Sequence, residues 1–205
     1  ASPYGDTKLA AEWMIAAQCR AYGLTAVALR YFNAAGADPS GLIGEAHEPE
    51  THLIPLAIAA ALGDGKPLTV FGQDFDTPDG TCLRDSIHVS DLAAAHVAAL
   101  GVELPAGAFE AVNVGTGQGR SVMEVVKAVG KAVGRAVPHS VGPRRDGDPP
   151  SLVADPSRAR ERLGWNARHS SLDEIVVDAL RWERNPCYGS GIRGSAGPRR
   201  SQAAV

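Results

Sequence analysis

The sequence has little of what would announce a secreted, membrane or nucleic-acid-binding protein. Its 205 residues hold only 3 cysteines, Cys19, Cys82 and Cys187, with no Cys-x-x-Cys pair. A disulfide framework and a zinc knuckle are therefore not expected, and a reducing, cytoplasmic setting is. No run of eighteen apolar residues exists, so no membrane-spanning helix is predicted. The opening, Ala1 to Asp6, has no basic stretch leading into an apolar one, so no secretory signal is read there. There is no internal repeat. The formal net charge is −3, which gives no general attraction to nucleic acid or acidic lipid. No starting Met is present, and the chain opens inside an organised segment, as a processed chain or a fragment would.

What is present is a globular pattern, 44% hydrophobic, with loops marked by 23 Gly and 14 Pro. Leu9, Trp13, Ala16, Ala17 and Arg20 recur at helical spacing, which predicts a partly buried helix over Thr7–Tyr22 closed by Gly23. The almost wholly apolar Thr25–Phe32 predicts a strand covered on both faces, hence a parallel sheet. Asn33–Glu50 reads as a long polar loop, the kind of segment where α/β proteins place sites. Helices are expected at His52–Leu62, Asp91–Leu100 (capped by Ser90), Ser121–Val133, Asp155–Leu163 and Ser171–Arg184. Strands are expected at Leu68–Phe71, Ala108–Val114 and Val137–Pro143. Ser121 with Glu124, and Ser171 with Glu174, have capping-box spacing. Trp13, Trp165 and Trp182 read as core anchors. Residues 188–205 read as a disordered tail.

Tyr4 and Lys8 stand four apart where a helix starts, so both point to one face. A cation beside a Tyr favours the phenolate, which can act as a general base. The spacing alone is weak evidence and favours an ordinary surface pair. His47, His52, His88 and His96 have no zinc spacing, and no metal is expected. Cys82 has no His placed by sequence to activate it.

The blocks Ser2–Glu12, Leu29–Ala37, Ile43–Glu45, Glu50–Pro55, Asp79–Val89 and Pro143–Pro149, taken in order, resemble the UDP-glucose 4-epimerases, members of the extended short-chain dehydrogenases. The resemblance covers residues 2 to about 186. It implies an α/β fold: the C-terminal part of a Rossmann-like parallel sheet domain plus a smaller mixed α/β substrate-binding lobe. Residues 1–115 would form the partial sheet domain with interleaved substrate segments, and 116–187 mainly the substrate lobe.

The resemblance further implies NAD-dependent interconversion of UDP-glucose and UDP-galactose. C4 is oxidised, the 4-keto sugar turns over in the site, and C4 is reduced on its other face. Tyr4 matches the catalytic base, and Lys8 the lysine on the nicotinamide ribose. Tyr31 and Phe32 match contacts at the nicotinamide end. Asn33 matches a substrate hydrogen-bonder, and Leu53 a residue beside the uracil or diphosphate. Leu68 and Phe71 match the strand flanking the uracil. Arg84 and Arg145 match the diphosphate arginines, Asp148 the carboxylate on the uridine ribose. Leu152 stands where the family gates N-acetyl sugars. A homodimer is usual in the family, one of its contact helices being Thr7–Tyr22.

Departures from the pattern set further expectations. Ser86 stands where the family places an aromatic. No glycine-rich dinucleotide turn precedes Tyr4, and no Ser or Thr stands upstream as a third catalytic member, since Ser2 is too close. Gly115–Gly119 aligns with a late structural turn. The chain is therefore read as a C-terminal portion lacking the N-terminal NAD-binding segment, with weakened packing at Thr7–Tyr22 and His52–Leu62 and no tight NAD binding. Two alternatives stay open: another nucleotide-sugar epimerase or dehydratase, and a non-catalytic remnant that binds a UDP-sugar.

Overall fold

The structure, a computed structural model, describes residues 3–187, so the tail expected at 188–205 lies outside the described residues. The chain begins with helix α1 (Pro3–Tyr22), then strands β1 (Ala26–Tyr31) and β2 (Asn33–Ala35), helix α2 (Leu53–Leu62) and strand β3 (Leu68–Phe71). Two short strands follow, β4 (Leu83–Arg84) and β5 (Ser86–His88), leading into α3 (Val89–Leu100). Strand β6 (Phe109–Val114) precedes β7 (Arg120–Ser121), α4 (Val122–Val133), β8 (His139–Gly142) and β9 (Ser151–Leu152). Helices α5 (Ser157–Leu163) and α6 (Leu172–Arg184) complete the described chain.

Four parallel pairs organise the sheets. β1 runs beside β6 from Ala26↔Phe109 to Tyr31↔Val114. β2 lies beside β5, and β3 beside β8. β4 sits between β7, antiparallel, and β9, parallel. The β1–β6 pair and its helices form one apolar cluster, in which Val112, Val114, Ile87, Leu92 and Trp165 are buried and Val27 and Leu29 pack against them. A second, larger cluster joins α2, β3, α4 and α6, with Ile58, Val70, Val129, Ile175 and Val176 at its centre.

Several expectations are corrected here. The sheet domain is not merely a C-terminal remnant: a Rossmann-like parallel unit assembles from α1 and β1 onward, because β1 finds in β6 a partner along its whole length. Helix α2 does not lose packing; Ile54, Ala57, Ile58, Ala60 and Ala61 are buried in the larger cluster. Helix α1 starts at Pro3 rather than Thr7, since Pro suits a first turn. Trp13 is no core anchor and stands 66% exposed, whereas Trp165 and Trp182 are buried. Helix α3 is capped by His88, whose Nδ1 accepts from the Ser90 amide. Pro156 is the N-cap of α5, and Asp155 accepts from the Ser157 amide just before it. The polar segment after β1 begins as strand β2, which only its pairing with β5 reveals.

Candidate active site

The site is assembled by the ends of the parallel strands. Ligands in α/β sheets bind beyond the carboxyl ends of the strands, and β1 delivers Phe32 and Asn33 there. The Asn33 amide donates to the Asp85 carbonyl, which fixes the exit of β1 against β5. Strand β3 buries Leu68 and Val70, and its pairing with β8 sets Phe71 opposite Gly142. The loop after β8 therefore starts beside Phe71, and the Arg145 guanidinium lies 4.1 Å from the Phe71 ring centroid. Such a cation over an aromatic face is held in place without losing its charge.

Arg84 and Asp148 meet in the same place. The Arg84 Nη2 donates to Asp148 Oδ1 at 2.5 Å, and its Nη1 donates to the carbonyls of Leu83 and Pro149. The neighbouring Arg144 is spent elsewhere, on Asp74 and on the Phe75 ring. That contact holds the Asp74 carboxyl below the usual carboxylate range. Burial pushes the Cys82 thiol up, with the Arg84 charge opposing it, so Cys82 is held as a thiol rather than a nucleophilic thiolate.

Phe71, Cys82, Arg84, Arg145 and Asp148 line one cleft of about 1340 Å³. Of the residues singled out from sequence, Phe32, Asn33, Leu53, Leu68, Phe71, Arg84, Arg145 and Asp148 face it. Tyr4, Lys8, Tyr31 and Leu152 are not among its walls. Lys8 Nζ lies 5.2 Å from the Tyr4 ring centroid, and Tyr4 is 73% exposed. Glu12 on α1 holds Arg30 on β1, which places the amino end of α1 at the carboxyl end of the strand. Tyr4 therefore lies about 12 Å along the helix axis from Glu12, on the strand end that carries Phe32 and Asn33. Tyr31 is half-exposed, its ring 6.2 Å from that of His96. Leu152 pairs with Arg84 across β9 and β4.

Sequence reasoning did not place Glu45, His52, Lys66, Arg120 or Trp182 at the site, though all line the cleft; His52 was weighed only as a metal ligand and Trp182 only as a core anchor. Ser86 lines it too, where the family pattern calls for an aromatic. Glu45 and His52 stood inside recognised blocks; Lys66, Arg120 and Trp182 carried no local signal of a site, because they reach the cleft only through the placement of β3, β7 and α6.

Phe32 and Asn33 line the cleft at the strand end, while Tyr4 and Lys8 stand outside its walls. The glycine-rich turn Gly115–Gly119 is not a pyrophosphate cradle. Its Thr116 and Gly117 amides donate to the buried Asp85 carboxylate, which also accepts from the Thr116 hydroxyl and the Ala154 amide.

The family described as NAD dependent epimerase/dehydratase matches residues 1–115. The chain belongs to that family. It is 50% identical over 196 residues to the UDP-glucose 4-epimerase of Azospirillum brasilense, which covers 96% of this chain and 56% of that protein. The crystal structure of the Bifidobacterium longum UDP-glucose 4-epimerase in complex with NAD+ and UDP matches at TM-score 0.84 and 42% identity, over 90% of this chain and 56% of that one. The Brucella ovis UDP-glucose 4-epimerase in complex with NAD matches at TM-score 0.81 and 51% identity, over 89% and 56%. The expectation of a C-terminal portion is not carried forward: family similarity starts at residue 1, and the match to the Azospirillum brasilense protein takes in 96% of this chain. The chain spans 56% of the length of the curated relatives it matches.

Proposed function

We propose that this chain works in the NAD-dependent C4 epimerisation of UDP-glucose and UDP-galactose, and that the cleft holds the UDP-sugar. The observation that carries the reading is the convergence of Arg84, Arg145, Asp148, Phe71 and Asn33 on one cavity. The rigid guanidinium forks of Arg84 and Arg145 suit a diphosphate. Phe71 and Leu68 offer an apolar wall for a uracil ring, and Leu53 stands beside it. Asp148 offers an acceptor for ribose hydroxyls, and Asn33 hydrogen-bonds the sugar. In this reading residues 1–115 supply the sheet domain with interleaved substrate segments, and 116–187 mainly the substrate lobe.

NAD, when bound, takes up and returns the hydride of the sugar C4. The phenol oxygen of Tyr4 takes the 4-hydroxyl proton and gives it back, and Lys8 places a positive charge beside that ring. Tyr31 and Phe32 hold the nicotinamide end. Several exposed apolar residues of α1, among them Trp13 and Met14, support self-association as in a homodimer. The setting is a reducing cytoplasm, in keeping with the free thiols of Cys19, Cys82 and Cys187. No described helix is long and apolar enough to cross a membrane.

The test is calorimetric titration of the chain with UDP, followed by conversion of UDP-galactose with NAD supplied. Arg145→Ala is expected to weaken UDP binding roughly 10- to 100-fold, the worth of a charged hydrogen bond. Tyr4→Phe is expected to leave UDP binding unchanged and to lower conversion at least about 100-fold. UDP bound equally well by Arg145→Ala would sink the site, and equal turnover by Tyr4→Phe would sink the base.

A further inference from the structure

At the rim of the cleft, one loop and the start of α2 bring together Glu45, His47, Glu50 and His52, whose donor atoms all lie within 4.8 Å of one another. His52 Nδ1 is 2.5 Å from Glu45 Oε1 and 3.1 Å from Glu50 Oε1. His47 Nδ1 is 3.8 Å from Glu50 Oε1, and the two imidazole rings are 5.0 Å apart. Four ligands around a tetrahedral Zn²⁺ at its usual bond lengths stand about 3.4 Å apart. The observed spacings straddle that value, so small side-chain rotations bring the set to it.

We propose that these four side chains form a binding site for a transition-metal dication of the Zn²⁺ type. The position of the backbone is already fixed. The Trp182 indole N–H donates to the Glu45 carbonyl at 2.6 Å, and Gly44 leaves room for that ring, since a Cβ there would stand 2.1 Å from it. Glu50 Oε1 accepts from the amides of Thr51 and His52, which aims its carboxylate at both imidazoles. The Glu50 side chain is only 9% exposed. Among the described residues, no Arg or Lys lies within ion-pair distance of Glu45 or Glu50; the ring nitrogens facing their carboxylates are those of the two histidines. Two carboxylates, Glu50 at 9% and Glu45 at 31% exposure, face two imidazoles and make a donor set that a dication completes. Two imidazole nitrogens select Zn²⁺ or Co²⁺ over Mg²⁺ or Ca²⁺, which prefer all-oxygen shells.

Histidine spacing alone hides this set, because half of its ligands are glutamates. The metal would be structural: it ties the loop carrying Glu45 to the first turn of α2, and so fixes one wall of the cleft. The proposal stands apart from the epimerase reading, since none of its evidence concerns a sugar or NAD.

The experiment uses the full chain without an affinity tag and stripped of metal. Titration with Co²⁺, followed by visible absorption, is expected to show the strong bands of a four-coordinate ion at one equivalent, displaced by Zn²⁺ and not by Mg²⁺. His47 is exposed and lies outside the cleft walls, so His47→Ala is expected to keep the wild-type circular dichroism and to bind Co²⁺ at least about 100-fold more weakly. Glu50→Gln, which keeps the shape of the side chain, is expected to behave alike. The weak spectrum of hydrated Co²⁺ throughout, or wild-type affinity in both variants, overturns the site. UDP binding is read on the same samples, so loss of the metal site and loss of the nucleotide site are told apart.

Discussion

At the scale of single residues, Asp85 does the most. It is fully buried, and its carboxylate accepts from the Thr116 and Gly117 amides, the Thr116 hydroxyl and the Ala154 amide. A charge removed from water is tolerable only when so many donors surround it. Asp85→Ala strands the Thr116 and Ala154 amides, each at about 1–3 kcal/mol, so a loss of at least about 2 kcal/mol is expected in urea unfolding. Glu110 on β6 carries a different charge effect. Hydrogen bonds from Arg162 and Arg158 hold its carboxyl below the usual range. A carboxyl whose value is depressed on folding adds stability above its unfolded value, about 4.3, and loses it as pH falls through the folded value. Unfolding midpoints at pH 7 and pH 3 should therefore differ less in Glu110→Gln than in the wild type. Equal pH sensitivity in both proteins would contradict that role.

At the scale of elements, the sequence was read well where a segment carries its own reason. The long periodic helices and the capping box of α4 appear where Ser121 and Glu124 predict them; at α6 only half of the expected box forms, the Ser171 side chain accepting from the Glu174 amide while the Glu174 carboxylate faces His169. The short strands β2, β4, β5, β7 and β9 were not legible, because two or three residues become a strand only through a distant partner. The site follows the same rule. Arg84, Arg145 and Asp148 were legible as a family pattern, whereas Lys66, Arg120 and Trp182 enter the cleft by tertiary placement alone. Trp13 misled for a related reason: helical spacing defines a face, but only packing decides whether that face is covered. Helix α2 shows the covered case. Ile58 is fully buried at the centre of the larger cluster, and Ile58→Ala is expected to cost about 2–5 kcal/mol in the same unfolding assay.

At the scale of the whole molecule, the exposed apolar residues are concentrated unevenly. Tyr4, Leu9, Trp13, Met14, Ile15 and Tyr22 all belong to α1, of which Cys19 alone is buried. An apolar surface of this kind marks an association site. Sedimentation velocity is expected to show a species larger than 21.3 kDa that shifts toward the monomer in Trp13→Glu with Met14→Glu. A wild-type monomer at all concentrations would remove that reading.

The contact between Trp182 and Glu45 has a further consequence, one of timing. The two residues are 137 positions apart. On a ribosome that adds about 5–20 residues per second, the loop emerges roughly 7–27 s before the helix that anchors it. During that interval the rim of the cleft has only its own turns to hold it. The wall becomes definite only when α6 arrives, so a nascent chain stalled before Trp182 should leave Glu45 and its neighbours open to a protease that the finished protein resists.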